Sequence, residues 1–353
     1  MAGDSWILPA ACLGLAVLVG AVLLWARGGR RGQDPKSTSR PPTFPPGPTA
    51  PKRAPRPPAP PPPTPPRPGP ALSSSMIPRA DDNFAPGYKI KRLIATGGMG
   101  SVYEAEDLTL HRKVAIKRLR SELRGEEGEK DRFLKEARIV AGLRHPNIIE
   151  IHTVVDGGED LYLVFEYVDG RTLDDVIRAK GGLEIQVCRK ILRQIASALA
   201  FAHERKVLHR DLKPANVMLS HAGVIKVMDF GIARQAQETL SRLSPAQAYG
   251  TLSYMSPEQH LGEEKRPADI YAVGITLYEM LSGMLPFAGP DSLLLKERLE
   301  YRPISQLVPA LGTAADAFFN RAIAPKPAER FQTVTELLAA FEEAFPRQGE
   351  KQE

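Results

Sequence analysis

Cysteine is scarce in this sequence of 353 residues, where only Cys12 and Cys188 occur. The first lies in an apolar N-terminal run and the second in a stretch with helical spacing. Neither a disulfide framework nor a zinc site with the usual ligand spacing can be built from these two residues. The composition therefore excludes the disulfide-rich secreted domains and fits a reducing compartment for the folded part.

Acidic residues are nearly missing from residues 27–78, where nine Lys and Arg accompany the single acid Asp34. The formal net charge of +6 is concentrated there, and the remainder of the chain is close to neutral. Basic residues in such a place are typical of a membrane flank or a solvated linker. We therefore predict no nucleic-acid partner for the folded part.

One long apolar run without charge extends from Trp6 to Trp25. As a helix it would be about 30 Å long, which matches the bilayer core, and tryptophan at both ends suits the two interfaces. Three arginines follow within residues 27–31, so the C-terminal side is expected in the cytoplasm. The pattern predicts a single-pass transmembrane helix over residues 6–26 at the cell membrane. The alternative, a cleaved secretory signal, would carry its positive residues before the run.

Proline is abundant, with 33 residues, and it is concentrated after the apolar run. Because proline lacks an amide donor and fixes φ, residues 27–87 are predicted to be a basic, disordered linker that behaves as an extended spacer. Several PxxP matches would also suit proline-recognition domains, but such matches are expected by chance in this composition. Residues 346–353 are predicted to be a polar tail.

The stretch from 88 to 345 has the texture of a folded domain. Alternating apolar residues in YKIKRLIA, SVYEAED, KVAIKRL, IIEIHTVV and LYLVFEYV predict strands, and RFLKEARIVAGL between them predicts a helix. From about residue 172 the pattern is mainly helical. A strand-rich part followed by a helix-rich part predicts an α+β fold.

Two motifs in the strand-rich part suit the binding of phosphate groups. The run ATGGMGSV lies between two predicted strands, and its glycines would let the main chain approach phosphate oxygens. Ala95 stands where the GxGxxGxV pattern has its first glycine. Lys117 ends the VAIK motif on the next strand, and Glu136 on the following helix is placed to hold this lysine.

Two motifs in the helix-rich part suit the transfer of a phosphoryl group. The sequence HRDLKPAN runs from His209 to Asn216. Within it, Asp211 can accept a hydroxyl proton, Asn216 can bind a metal ion and Lys213 can neutralise a transferring phosphoryl group. Asp229 begins the sequence DFG, eighteen positions after Asp211, and offers a carboxylate to Mg²⁺.

With these motifs, and with HPNI, FEYVDGRTL, GTLSYMSPEQ and DIYAVGITLYEML, the chain resembles the eukaryotic-like (Hanks-type) protein serine/threonine kinases of bacteria. The resemblance implies a bilobal protein kinase fold over residues 88–345, with a small β-rich lobe and a larger helical lobe. It implies ATP and Mg²⁺ as cofactors and serine or threonine side chains of proteins as acceptors. The pair Lys213-Pro214 after the catalytic acid favours serine and threonine over tyrosine as acceptors.

The resemblance also assigns roles to single residues. The implied catalytic residues are Asp211, Lys213, Asn216, Lys117 and Glu136, with Lys117 paired to Glu136, and the implied metal ligands are Asn216 and Asp229. The implied nucleotide-binding residues are Ala95, Thr96, Gly97, Gly98, Met99, Gly100, Val102, Ala115, Lys117, Glu166, Val168 and Met218. Phe165 would be the gatekeeper, and Glu166 and Val168 would offer main-chain groups to the adenine.

Three further residues are expected to be structural. Glu258, in SPE where the family has APE, would form a buried pair with Arg330, and Asp269 would anchor the catalytic loop.

Arg210 would receive a phosphate on Thr239, Ser241 or Ser244 after autophosphorylation, for which self-association would be needed if the reaction occurs between molecules. A pseudokinase scaffold and a membrane-tethered adaptor acting through the proline-rich arm are the alternative functions.

Overall fold

The computed structural model describes residues 87–97, 100–119, 129–156, 161–231, 252–263 and 265–346. The predicted membrane span, all of the predicted linker except Gly87, the three candidate phosphorylation sites and the tail beyond residue 346 lie outside these ranges. Within them, no helix combines the length and the apolar character that crossing a bilayer requires.

Strands come first along the chain and helices dominate after them. The strands are β1 (Tyr88–Gly97), β2 (Gly100–Asp107), β3 (Arg112–Leu119), β4 (Ile151–Asp156), β5 (Leu161–Glu166), β6 (Gly170–Thr172), β7 (Val217–Ser220) and β8 (Ile225–Val227). The helices are α1 (Glu129–Ala141), α2 (Leu173–Lys180), α3 (Ile185–Glu204), α4 (Pro257–His260), α5 (Arg266–Ser282), α6 (Ser292–Arg298), α7 (Ile304–Leu307), α8 (Gly312–Ala322) and α9 (Val334–Ala344). The predicted α+β class is confirmed.

The N-terminal lobe is an antiparallel sheet in the order β1-β2-β3-β5-β4, with α1 packed near β4. The interior strand β5 is buried from Leu161 to Phe165 on both faces. A continuous apolar strand is what an inner position in a covered sheet requires. The sheet therefore holds β3, and with it Lys117, in a fixed register.

The C-terminal lobe is built around α5, which is buried along nearly its whole length from Ala268 to Leu281. A helix that is apolar on all sides belongs in the interior of a protein. The rings of Phe319, Phe331, Phe341 and Phe345 surround Phe318 at centroid distances between 5.2 and 5.9 Å. This aromatic cluster joins α8 to α9 and closes the core.

A second sheet, β6-β7-β8, is formed by short strands that precede α2 and follow α3 in the chain. Its strand β8 is tied to the segment after α1, because Ile149 donates to Val227 and Val227 donates to Asn147, at 2.9 and 2.8 Å. The loop between α3 and β7 and the turn after β8 carry most of the predicted catalytic groups. The small sheet thus brings these two segments together.

Candidate active site

The loop 209–216 is anchored by a side chain of α5. The buried carboxylate of Asp269 accepts the main-chain amides of His209 and Arg210 at 2.9 and 2.8 Å, and the ring of His203 at 2.7 Å. Burial alone would raise the pKa of Asp269, but these bonds and the neighbouring histidines hold it below its usual value. The contacts are those expected of an anchor for this loop.

His209 connects the loop to the turn that carries Asp229. Its ring donates from Nε2 to the carbonyl of Met228 at 3.0 Å and accepts the amide of Asp211 at Nδ1 at 3.3 Å. Burial lowers the pKa of His209, which suits this neutral form of the ring. The amide of Gly231 donates to the carbonyl of His209 at 3.2 Å, so the two segments are fixed relative to one another.

Asp211, Lys213 and Asn216 are brought together as the sequence predicted. The ammonium of Lys213 lies 3.1 and 2.9 Å from the two carboxylate oxygens of Asp211. The amide nitrogen of Asn216 donates to the carbonyl of Asp211 at 2.8 Å and to its carboxylate at 3.1 Å. These bonds orient the carboxylate of Asp211 and turn the amide oxygen of Asn216 away from it.

Lys117 contacts Asp229 directly, with 2.9 Å between Nζ and Oδ1. Burial would raise the pKa of Asp229, but the charge and the hydrogen bond of Lys117 outweigh this effect and lower it. Asp229 has φ 61° and Arg210 has φ 69°, which are uncommon for residues with a side chain and cost about 1–3 kcal/mol each. Such strain is typical of functional sites.

The pairing of Lys117 with Glu136 is corrected by the structure. The carboxylate of Glu136 accepts a hydrogen bond from the guanidinium of Arg210 at 2.9 Å, while Lys117 binds Asp229. The physical reason is that the carboxylate of Asp229, only 14% exposed, needs a nearby cation, and Lys117 is the cation that β3 brings to it. Arg210, whose main chain is fixed by Asp269, then reaches α1 and binds Glu136.

Four of the predicted nucleotide-binding residues in the first three strands lie on one face of the sheet. Ala95 lies opposite Val102, and Val102 lies opposite Lys117, so these side chains share one face of the sheet. Ala115 shares this face because it is two residues from Lys117. Thr96 and Gly97 end β1, and the adjoining Gly98 and Met99 lie outside the described residues.

Gly100 has a packing role that differs from the phosphate approach expected for it. With φ 145°, a β-carbon at this position would lie 1.9 Å from the carbonyl oxygen of Arg118. The close approach of β3 therefore demands glycine here, whatever the loop before it binds.

The predicted hinge follows β5. Phe165 is buried in β5 opposite Ala115, and Val168 lies between β5 and β6. The amide of Glu166 already donates to the carbonyl of Glu150 at 2.9 Å, so this amide is not available to a bound base. Met218 lies on β7.

The SPE segment is joined to both the core and the loop. Arg330 donates to the two carboxylate oxygens of Glu258 at 2.6 and 2.8 Å, so this predicted pair is formed. Sequence reasoning missed Gln259, whose side chain donates to the carbonyl of Arg210 at 3.1 Å. The only signal for it was its place three residues after Ser256, where it completes a capping box.

The residues present suit a hard divalent cation that is bound together with phosphate. Among the described residues, no group of three or more His, Cys, Asp and Glu could hold a metal alone. Asp229 could supply one carboxylate and Asn216 one amide oxygen, and Mg²⁺ characteristically takes few protein ligands when phosphates complete its shell. Lys117 and Lys213 add positive charge nearby.

Comparison with known proteins agrees with this geometry. The family model described as protein kinase domain matches residues 88–340. The serine/threonine-protein kinase PrkC of Bacillus subtilis is 38% identical over 262 residues, which are 73% of this chain and 40% of that protein. PknB of Mycobacterium leprae, also a serine/threonine-protein kinase, is 38% identical over 260 residues, which are 71% of this chain and 42% of that protein.

Among solved structures, the kinase domain of PknI from Mycobacterium tuberculosis is similar with a TM-score of 0.61 and 29% identity. The likeness covers 74% of this chain and 96% of that one. The predicted bilobal fold is thereby confirmed. The match spans about two fifths of the length of each of the two curated relatives named above, with shares of 40% and 42%.

Proposed function

Because the chain belongs to the protein kinase domain family, we propose that it is a protein serine/threonine kinase that transfers the γ-phosphate of ATP. The observation that carries the proposal is the cluster in which Asp211 is oriented by Lys213 and Asn216 while Lys117 and Asp229 lie across the same site. A base, two cations and two oxygen ligands are what phosphoryl transfer requires of a protein.

Each residue of the cluster has a defined task in this proposal. Asp211 orients the acceptor hydroxyl and accepts its proton, and Lys213 balances the charge that gathers beside it. Lys117 binds phosphate oxygens of the nucleotide. Asp229 and Asn216 would hold Mg²⁺, which neutralises charge on the phosphates when bound.

The experiment is transfer from γ-labelled ATP to a generic basic protein, followed by analysis of the labelled amino acids. We expect label on serine and threonine, and we expect chelation of Mg²⁺ to abolish it. A chain that binds Mg·ATP but labels no acceptor would instead be the pseudokinase scaffold.

We also propose autophosphorylation of the segment that follows the DFG motif. The guanidinium of Arg210 donates to the carboxylate of Glu136, and a phosphate carries more charge and more acceptor oxygens than a carboxylate. A phosphate on Thr239, Ser241 or Ser244 would therefore compete with Glu136 for Arg210. Glu136 could then bind Lys117 instead.

Mass spectrometry after incubation with ATP tests the autophosphorylation. We expect phosphate within residues 232–249, and replacement of Thr239, Ser241 and Ser244 by alanine together should lower the transfer rate at least about tenfold, because one charge-assisted bond to phosphate is worth about 1.5–3 kcal/mol. A rate of labelling per molecule that rises with protein concentration would indicate self-association. An active enzyme with an unmodified segment would contradict the proposal.

The membrane anchor over residues 6–26 is likewise a proposal, with the catalytic domain on the cytoplasmic side and residues 27–87 as its tether. Its support is the uncharged run between two tryptophans and the arginines that follow it. The full chain should remain with membranes after alkaline carbonate extraction, and deletion of residues 6–26 should release it. Release of the undeleted chain by carbonate would exclude a spanning helix.

A further inference from the structure

A lysine outside the catalytic cluster is completely buried. Lys296 on α6 has no exposed surface, and its ammonium donates to the main-chain carbonyls of Leu252 and Met255 at 2.5 and 2.7 Å. Burial lowers the pKa of Lys296 to about 8. Removing a cation from water costs free energy, so burial of Lys296 opposes folding unless its hydrogen bonds offset this cost.

The acceptors of Lys296 are the two ends of a short half-buried segment, residues 252–255. Between them, the hydroxyl of Tyr254 donates to Glu279 on α5 at 2.5 Å. The segment is thus held from within the lobe at two main-chain carbonyls and one side chain, while part of its surface remains accessible.

The segment is connected to the catalytic loop through α4. It leads directly into α4, where Gln259 donates to the carbonyl of Arg210, the residue before Asp211. A polypeptide whose hydroxyl reaches Asp211 must extend past this loop, because each flanking residue adds about 3.3 Å of chain. Residues 252–255 thus lie four to seven positions before a residue that contacts this loop, and part of their surface is accessible.

On the premise of the kinase activity proposed above, we propose that Lys296 is a positioning residue for the protein substrate. By fixing the carbonyls of Leu252 and Met255, it sets the shape of the wall against which the residues flanking the acceptor hydroxyl rest. The contacts of its ammonium within the described part of the chain are with Leu252, Met255 and the ring of Tyr271, and they include neither a nucleotide-binding residue nor the catalytic carboxylate. Its effect should therefore concern the acceptor alone.

The change Lys296→Met removes both hydrogen bonds with little loss of volume. We expect the KM for a peptide acceptor to rise about tenfold or more, since hydrogen bonds to a charged donor are worth more than one factor of ten in an equilibrium. The KM for ATP and the slow hydrolysis of ATP without acceptor should stay within about twofold. Selectivity among peptides that differ only beside the acceptor serine should also become weaker.

The matched control is Arg298→Met, which removes an exposed cation from the same helix. It should change neither KM. Lys296→Gln keeps a donor group, the uncharged amide NH2 on a shorter side chain, and should give an intermediate KM for the peptide. It also serves if the methionine variant fails to fold.

Three results are decisive. An unchanged peptide KM in the two Lys296 variants would overturn the positioning role while leaving the kinase activity intact. Equal losses for peptide and ATP, together with a lower Tm, would overturn it in favour of a purely structural role. Absence of transfer by the unaltered chain would instead remove the proposed function, and with it the premise.

Discussion

Asp211→Asn should abolish most phosphate transfer while leaving the fold and the binding of Mg·ATP unchanged. The variant keeps the shape of the side chain and can still meet Asn216, but it cannot accept a proton, and Lys213 loses its charged partner. General-base catalysis contributes about 10²–10⁴-fold, so kcat should fall within that range. The measurement is initial-rate transfer to a protein acceptor at saturating ATP.

The matched control is Asp291→Asn, which makes the same chemical change at an exposed position before α6. It should leave kcat unchanged. A loss of nucleotide affinity in Asp211→Asn would show that the residue supports binding as well as chemistry. Equal activity of the variant and the unaltered chain would refute the role of Asp211 and revive the scaffold alternative.

The strands, the central helix and the catalytic loop were predictable because their causes are local. The buried length of α5 follows from a mainly apolar stretch, and the positions of Asp211 and Asn216 follow from their separation of five positions in a single short loop. Patterns of this kind predict the structure well, because all of the participating groups belong to one element or one turn.

The partners of Lys117 and Glu136 could not be read from the sequence. Each carboxylate and each cation here comes from a different element, and a family motif names the groups without fixing which of them meet. The distances of 2.9 Å from Lys117 to Asp229 and from Arg210 to Glu136 depend on how α1 sits against the catalytic loop. That placement is a tertiary property.

Lys296 shows the same limit in another form. Helix α6 reads SLLLKER, in which the leucines look buried and the lysine looks exposed, yet Leu293 and Leu294 are 37% and 44% exposed and Lys296 is buried. Lys296 is buried because it donates to two main-chain carbonyls of a segment that is distant in sequence. The spacing of apolar residues along the helix does not indicate this contact. The same holds for Gly100, whose requirement comes from the carbonyl of Arg118 on the neighbouring strand.

Glu258→Gln should cause the largest loss of stability among single changes of similar size. It leaves the fully buried guanidinium of Arg330 without its counter-charge, and breaking a buried pair in this way costs about 3–5 kcal/mol. Because Arg330 keeps the carbonyls of Ala324 and Pro325 at 2.6 and 2.7 Å, we expect about 3 kcal/mol, the lower end of that range. Urea unfolding of the catalytic domain measures it as a lower midpoint at constant m-value.

The pH dependence of this loss identifies its cause. Arg330 outweighs the effect of burial and holds the pKa of Glu258 below its usual value, so the pair stabilises the fold fully above about pH 4.3, the ordinary pKa of glutamate. The difference between the two proteins should therefore be constant near neutrality and should shrink as the pH falls through the lowered pKa. Glu329→Gln, the same change at the exposed neighbour of Arg330, should move neither the midpoint nor its pH dependence. A difference that stays constant down to pH 3 would mean that the charge of Glu258 is not what Arg330 requires.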